Sequence, residues 1–148
     1  YGTMDVCGTY PDRIAAGMAL CGGCSLKDVS GLGKLPFWII HGTADRAVPV
    51  KQSKVVVDKL KRNGNDTRLI YDWWQGANHG MPARVFYMKK TYQWLFSHTL
   101  NDPDRPVNRD IDISMGDVRN AYDGVNRNAP KPELIDGPSV IKNEGNEY

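Results

Sequence analysis

The sequence predicts an α/β fold built on a parallel sheet, and three features point to it. Short apolar runs of strand length alternate with segments whose apolar residues recur every three or four positions. The connections between the runs are long enough for the crossovers that parallel strands require. One run, Pro36-Phe-Trp-Ile-Ile-His-Gly42, is apolar almost without interruption, as in a strand covered on both faces.

Gly2 to Thr9 reads as the last turns of a helix, ended by Tyr10-Pro11 because the residue before a proline is pushed out of the α region. Ala15 to Leu20 is a first strand. The turn-rich Cys21-Gly-Gly-Cys24 follows it, then a single helical turn capped by Ser25. Pro36 to Gly42, with its β-branched and aromatic residues, is the second strand. After Pro49, Val56, Val57 and Leu60 with Val50 behind them form a helical stripe over roughly Val50 to Asn63, and Gly64 provides the stop. Thr67 to Tyr71 is a third strand, with a loop from Asp72 to Pro82. Pro82 is tolerated at a first helical position. Val85, Met88, Tyr92, Leu95 and Phe96 then predict one helix running to Leu100. Three strands make a thin sheet for this class, so the pattern reads as part of a larger one.

Chain length allows one domain, or one domain with a tail, and excludes two full enzymatic domains: there are 148 residues. The longest uncharged apolar-rich window, Ile14 to Leu26, is 13 residues with three glycines, against the ~18 that a membrane span needs. The net charge of +2 averages two unlike regions. Residues 1–100 hold 13 Lys/Arg against 7 Asp and no Glu (+6), while residues 101–148 hold 6 Lys/Arg against 10 Asp/Glu (−4). The positive charge is not clustered and accompanies no nucleic-acid-binding motif, which argues against a nucleic-acid partner. From Asn101 on, Pro, Asn, Asp and Gly dominate. The segment reads as an extended tail or linker, with Val118, Tyr122, Leu134 and Ile135 available to wrap over the domain.

Two loops stand out for chemistry. His41-Gly-Thr-Ala-Asp45-Arg-Ala-Val-Pro49 directly follows the second strand, and Gly76-Ala-Asn-His79-Gly80 follows the third. In open α/β sheets, ligands sit outside the carboxyl ends of the strands. A catalytic histidine needs a carboxylate to fix its tautomer and stabilise its imidazolium, and Asp45 with His79 meets that need. Asp72 is the rival acid. Trp73 and Trp74 precede the His79 loop, where they either line a substrate pocket or pack against the final helix. His41 reads as structural and His98 as an exposed helix residue, while Phe37, Trp38, Tyr87 and Trp94 read as core. Cys21 and Cys24 form half a tetrahedral zinc site at most, and with Cys7 the cysteine count is odd. Asp110-Ile-Asp-Ile-Ser114 opens like a calcium loop, but Met115 and Ala121 occupy the turn-glycine and bidentate-acid positions. No metal site follows from either pattern.

As a set, these segments resemble the carboxyl-terminal half of α/β-hydrolase serine hydrolases. The nearest group is the predicted peptidases and carboxylesterases close to dienelactone-hydrolase-like and polyhydroxybutyrate-depolymerase-like esterases. The likeness rests on Tyr1-Gly-Thr-Met-Asp5 with Tyr10-Pro-Asp-Arg-Ile-Ala-Ala16, on Pro36 to Gly42 with Asp45 and Val48-Pro49, on Leu60-Lys-Arg-Asn-Gly64, and on His79 with Tyr92-Gln-Trp-Leu-Phe96. It implies a partial α/β-hydrolase fold in residues 1–100 followed by an irregular tail in 101–148. Asp45 would be the triad acid and His79 the general base. No cofactor would be needed, and the substrate would be a small-molecule ester or a peptide; enzymes of this resemblance are often exported, which leans towards a secreted or periplasmic location without deciding it.

The resemblance also implies a nucleophile elbow, G-x-S-x-G, just before the helix that starts near Tyr1. None occurs in the chain; Ser25, Ser30, Ser53, Ser97, Ser114 and Ser139 all lack that context. The serine is therefore expected upstream of Tyr1, and the 148 residues alone are expected to be nearly inactive. Either the N-terminal half of the same protein or a second chain would complete the sheet. The alternative is a non-catalytic interaction module that keeps the scaffold without the nucleophile.

Overall fold

The computed structural model describes residues 1–123. Its elements are α1 (Gly2–Thr9), β1 (Gly17–Leu20), β2 (Phe37–Gly42), α2 (Lys51–Arg62), β3 (Leu69–Trp74), α3 (Lys89–Phe96) and α4 (Met115–Asn120), with short 3₁₀ turns at Pro11–Arg13, Ser30–Lys34 and Pro82–Tyr87. The three strands form one parallel sheet in the order β1-β2-β3, with Phe37 beside both Gly17 and Leu69. This is the expected α/β class: a three-stranded parallel sheet with flanking helices.

β2 is central and buried along its whole length. Alternate residues of a strand point to opposite faces, so β2 supplies two cores. Phe37 and Ile39 pack with Met4 of α1 and Val56, Val57 and Leu60 of α2. Trp38 and Ile40 pack with Trp74, Val85, Trp94 and Val118 on the other face.

Several expectations need correction. β3 runs on through Trp74 instead of ending at Tyr71, because all six of its residues pair with β2. No helical turn forms at Ser25; the 3₁₀ turn lies at Ser30–Lys34. The last helix is broken at Met88, which is extended (φ −109°, ψ 129°). Side chains take the carbonyls a continuous helix would use: Thr91 Oγ1 donates to Val85 O (2.5 Å) and Tyr92 Oη to Phe86 O (2.8 Å). Its buried stripe is consequently Thr91 and Trp94, with Tyr92 and Phe96 facing out. Tyr87 is likewise exposed, packed edge-on against Tyr122.

The segment after residue 100 packs on the domain as far as it is described. Arg105 donates to the carbonyls of Pro11, Ile14 and Ala15, and Arg109 to those of Thr67 and Leu69. α4 starts at a capping box between Ser114 and Asp117 and buries Val118 completely. His98 is buried by the same segment, contrary to expectation: its Nδ1 donates to Trp94 O (2.8 Å) and its Nε2 accepts from Asn108 N (2.9 Å). Leu134 and Ile135 lie outside the described residues.

Candidate active site

Asp45 and His79 sit in the loops that leave the carboxyl ends of β2 and β3. Gly42 lets these loops meet. A Cβ there would overlap Ala77 O, so only glycine permits the approach. Thr43 N then donates to Trp74 O and Ala44 N to Ala77 O, both at 3.0 Å, lacing the loops together.

Across that seam His79 Nδ1 lies 2.7 Å from Asp45 Oδ2. Asp45 Oδ1 accepts from Ala47 N and Val48 N at 2.9 Å each, turning the loop around the carboxylate. Burial pushes the Asp45 carboxyl up, but the Val48 N–H, the His79 ring, the Cys21 thiol and the Ala47 N–H outweigh it and hold it at about 2. Asp45 is thus a buried carboxylate. The His79 side chain is 51% exposed. Donation from Nδ1 to Asp45 selects the tautomer whose Nε2 can accept a proton, and Nε2 has no hydrogen-bond partner among the described residues. Asn78 Oδ1 shapes the turn around this histidine by accepting from Gly80 N and Met81 N.

A cleft of about 280 Å³ runs from His79 to Thr3 at the start of α1 and Cys21 at the end of β1. Cys21, read from the sequence as part of a structural turn, is a site neighbour. Its Sγ, an Asp45 oxygen and a His79 nitrogen lie within 4.8 Å of one another. Such a donor set suits a soft divalent ion, but burial and the Asp45 carboxylate push the thiol up to about 11, so it stays protonated and donates to Asp45. The sheet-end rule that singled out the other two loops applies equally to the end of β1. Gly42 had no such sequence signal, because its role depends on Ala77, 35 positions along the chain.

Asp72 does not compete for His79. Its carboxylate accepts from the buried Trp38 Nε1 at 2.6 Å, across from β3 to β2. Trp73 and Trp74 do not line the clefts beside His79. As consecutive strand residues they face opposite sides of the sheet, Trp74 in the core with Trp94 and Trp73 against the other core. Among the described residues no serine hydroxyl hydrogen-bonds His79. Ser53 contacts Gly22 O and His41, Ser97 contacts Trp94 O, and Ser30 and Ser114 contact Asp28 and Asp117.

Comparison with known proteins places this geometry in context. A solved structure described as a thermostable esterase matches with a TM-score of 0.58 and 27% identity, covering 66% of this chain and 28% of that one. The chain therefore spans little more than a quarter of that protein's length. No curated protein matches it. Residues 26–102, more than half of the chain and including both site loops, match the prolyl oligopeptidase family. The chain belongs to the prolyl oligopeptidase family, within the α/β-hydrolase superfamily of esterases and peptidases.

Proposed function

We propose that the chain is the carboxyl-terminal part of a serine hydrolase of the carboxylesterase or peptidase type, with His79 as general base and Asp45 as its orienting acid. The observation that supports this reading most is the 2.7 Å contact between a buried carboxylate and a half-exposed imidazole at the ends of adjacent parallel strands. The nucleophilic serine comes from the segment preceding Tyr1, supplied by the same protein or by a second chain that also completes the sheet. Residues 1–100 contribute the last strands of the catalytic domain, and 101–148 are appended to it.

In the first step His79 Nε2 takes the proton of the serine hydroxyl as its oxygen attacks the substrate carbonyl. Asp45 stabilises the resulting imidazolium. The proton then passes to the leaving alcohol or amine. Water repeats the sequence on the acyl-enzyme, and no cofactor enters any step. Backbone donors for the oxyanion belong to the turn after the serine and to an earlier loop.

A fluorophosphonate probe tests the reading. In the longer protein it should label one serine in a G-x-S-x-G preceding Tyr1, and His79→Ala should abolish the labelling. Absence of such a serine favours the non-catalytic module, and labelling indifferent to His79 would remove His79 from the role of general base.

A further inference from the structure

His41 is fully buried, and each ring nitrogen has a partner. Nε2 lies 2.8 Å from Val48 O, and Nδ1 lies 2.7 Å from Ser53 Oγ. Ser53 Oγ in turn lies 2.6 Å from Gly22 O. The chain of contacts therefore begins and ends on backbone carbonyls, which only accept.

Three hydrogen bonds in a row need three hydrogens. Serine brings one and neutral imidazole one, leaving the row one short. If Ser53 donates to Gly22 O, Nδ1 must donate to Ser53, and a neutral ring then turns the Nε2 lone pair onto Val48 O. If Ser53 instead donates to Nδ1, its oxygen faces Gly22 O at 2.6 Å with no proton between them. Either arrangement leaves a buried acceptor pressed against another, with no proton between them to offset the repulsion. A doubly protonated ring supplies the third hydrogen and satisfies every contact.

A buried cation needs a counter-charge. Asp45 provides it, with Oδ2 3.3 Å from His41 Nε2. Among the described residues, the Cys21 thiol at the end of β1 and His79 beyond Asp45 lie beside this pair, and α2 contributes the uncharged Ser53. We propose that His41 is a buried imidazolium that pairs with Asp45 and, through Val48 O and Ser53, fixes the loop presenting Asp45 to His79. His41 is thus a positioning residue. The positioning role rests on the triad reading above; the charge state does not.

Long-range ¹⁵N–¹H correlation spectra of the 148-residue chain at neutral pH test this without any substitution. His41 should show two protonated ring nitrogens, with both N–H protons protected from exchange; an unprotonated ring nitrogen would overturn the proposal. Ser53→Ala should remove the Nδ1 proton, Ser53→Thr should restore it, and retention of both protons in Ser53→Ala would also contradict the account. Without Ser53 the loop presenting Asp45 is held less tightly, so the His79 Nδ1 proton in the 2.7 Å contact with Asp45 should move upfield in Ser53→Ala and return in Ser53→Thr; an unmoved resonance would refute the positioning role. A neutral His41 sinks this inference but leaves the triad reading standing. Serine labelling indifferent to His79 sinks the triad reading and the positioning role with it, but leaves the charge state standing.

Discussion

The loops after β2 and β3 each deliver one member of the Asp45–His79 pair, yet they are built differently. The β2 loop is closed on itself and on its surroundings: Asp45 accepts from Ala47 and Val48, His41 bridges Val48 to Ser53, and the carboxylate is buried. The β3 loop is held by the Asn78 turn and by its seam with Thr43 and Ala44, and its histidine stands half in solvent. The contrast fits a division of labour in which the acid is fixed and the base stays accessible. An orienting carboxylate works through geometry, whereas a base must reach both substrate and water.

The largest stability effect should come from the tight loop. Asp45→Ala removes the acceptor for two backbone N–H groups and the partner of His41, and should cost about 3–4 kcal/mol in urea unfolding followed by tryptophan fluorescence. Gly42→Ala forces a methyl against Ala77 O and should cost about 2 kcal/mol while parting the two loops. Equal stability of Gly42→Ala and the parent would show that the seam is slack.

Acid should probe the same asymmetry more gently. The folded Asp45 carboxyl sits at about 2, below its ordinary 3.8, so its contribution is complete above about pH 4 and is lost as pH falls towards 2. That contribution is about 2 kcal/mol. Asp45→Asn should flatten the loss. At the small end, His79→Ala should change stability by less than about 0.5 kcal/mol, since the ring is half exposed. A larger cost would make His79 a structural residue and erase the contrast between the loops.

Both site loops were legible in the sequence for a local reason. Each lies at the end of an apolar run, so the sheet-end rule and the His-Gly-x-x-Asp-x-x-Val-Pro segment fall within one short stretch. β2 and α2 are legible for the same reason, since strand burial and helical stripe are local patterns. What escaped depends on distant partners. His98 looks solvent-facing until Asn108 covers it, and the helix break at Met88 follows from which carbonyls Thr91 and Tyr92 capture. Two of the buried indoles make the same point, Trp38 satisfied by Asp72 and Trp94 by Asn108 O. The docking of the segment after residue 100 through Val118 was legible from its few apolar residues, whereas the reach of Arg105 and Arg109 to backbone carbonyls of the domain was not.

The central claim is that Asp45 and His79 act as one catalytic unit, and a double-mutant cycle on ester hydrolysis by the longer protein tests it most directly. His79→Ala and Asp45→Ala should each lower kcat about a thousandfold or more, and the double variant should lose little beyond the worse single one. Losses that multiply in the double variant, or a single variant that retains the parental rate, would contradict the account.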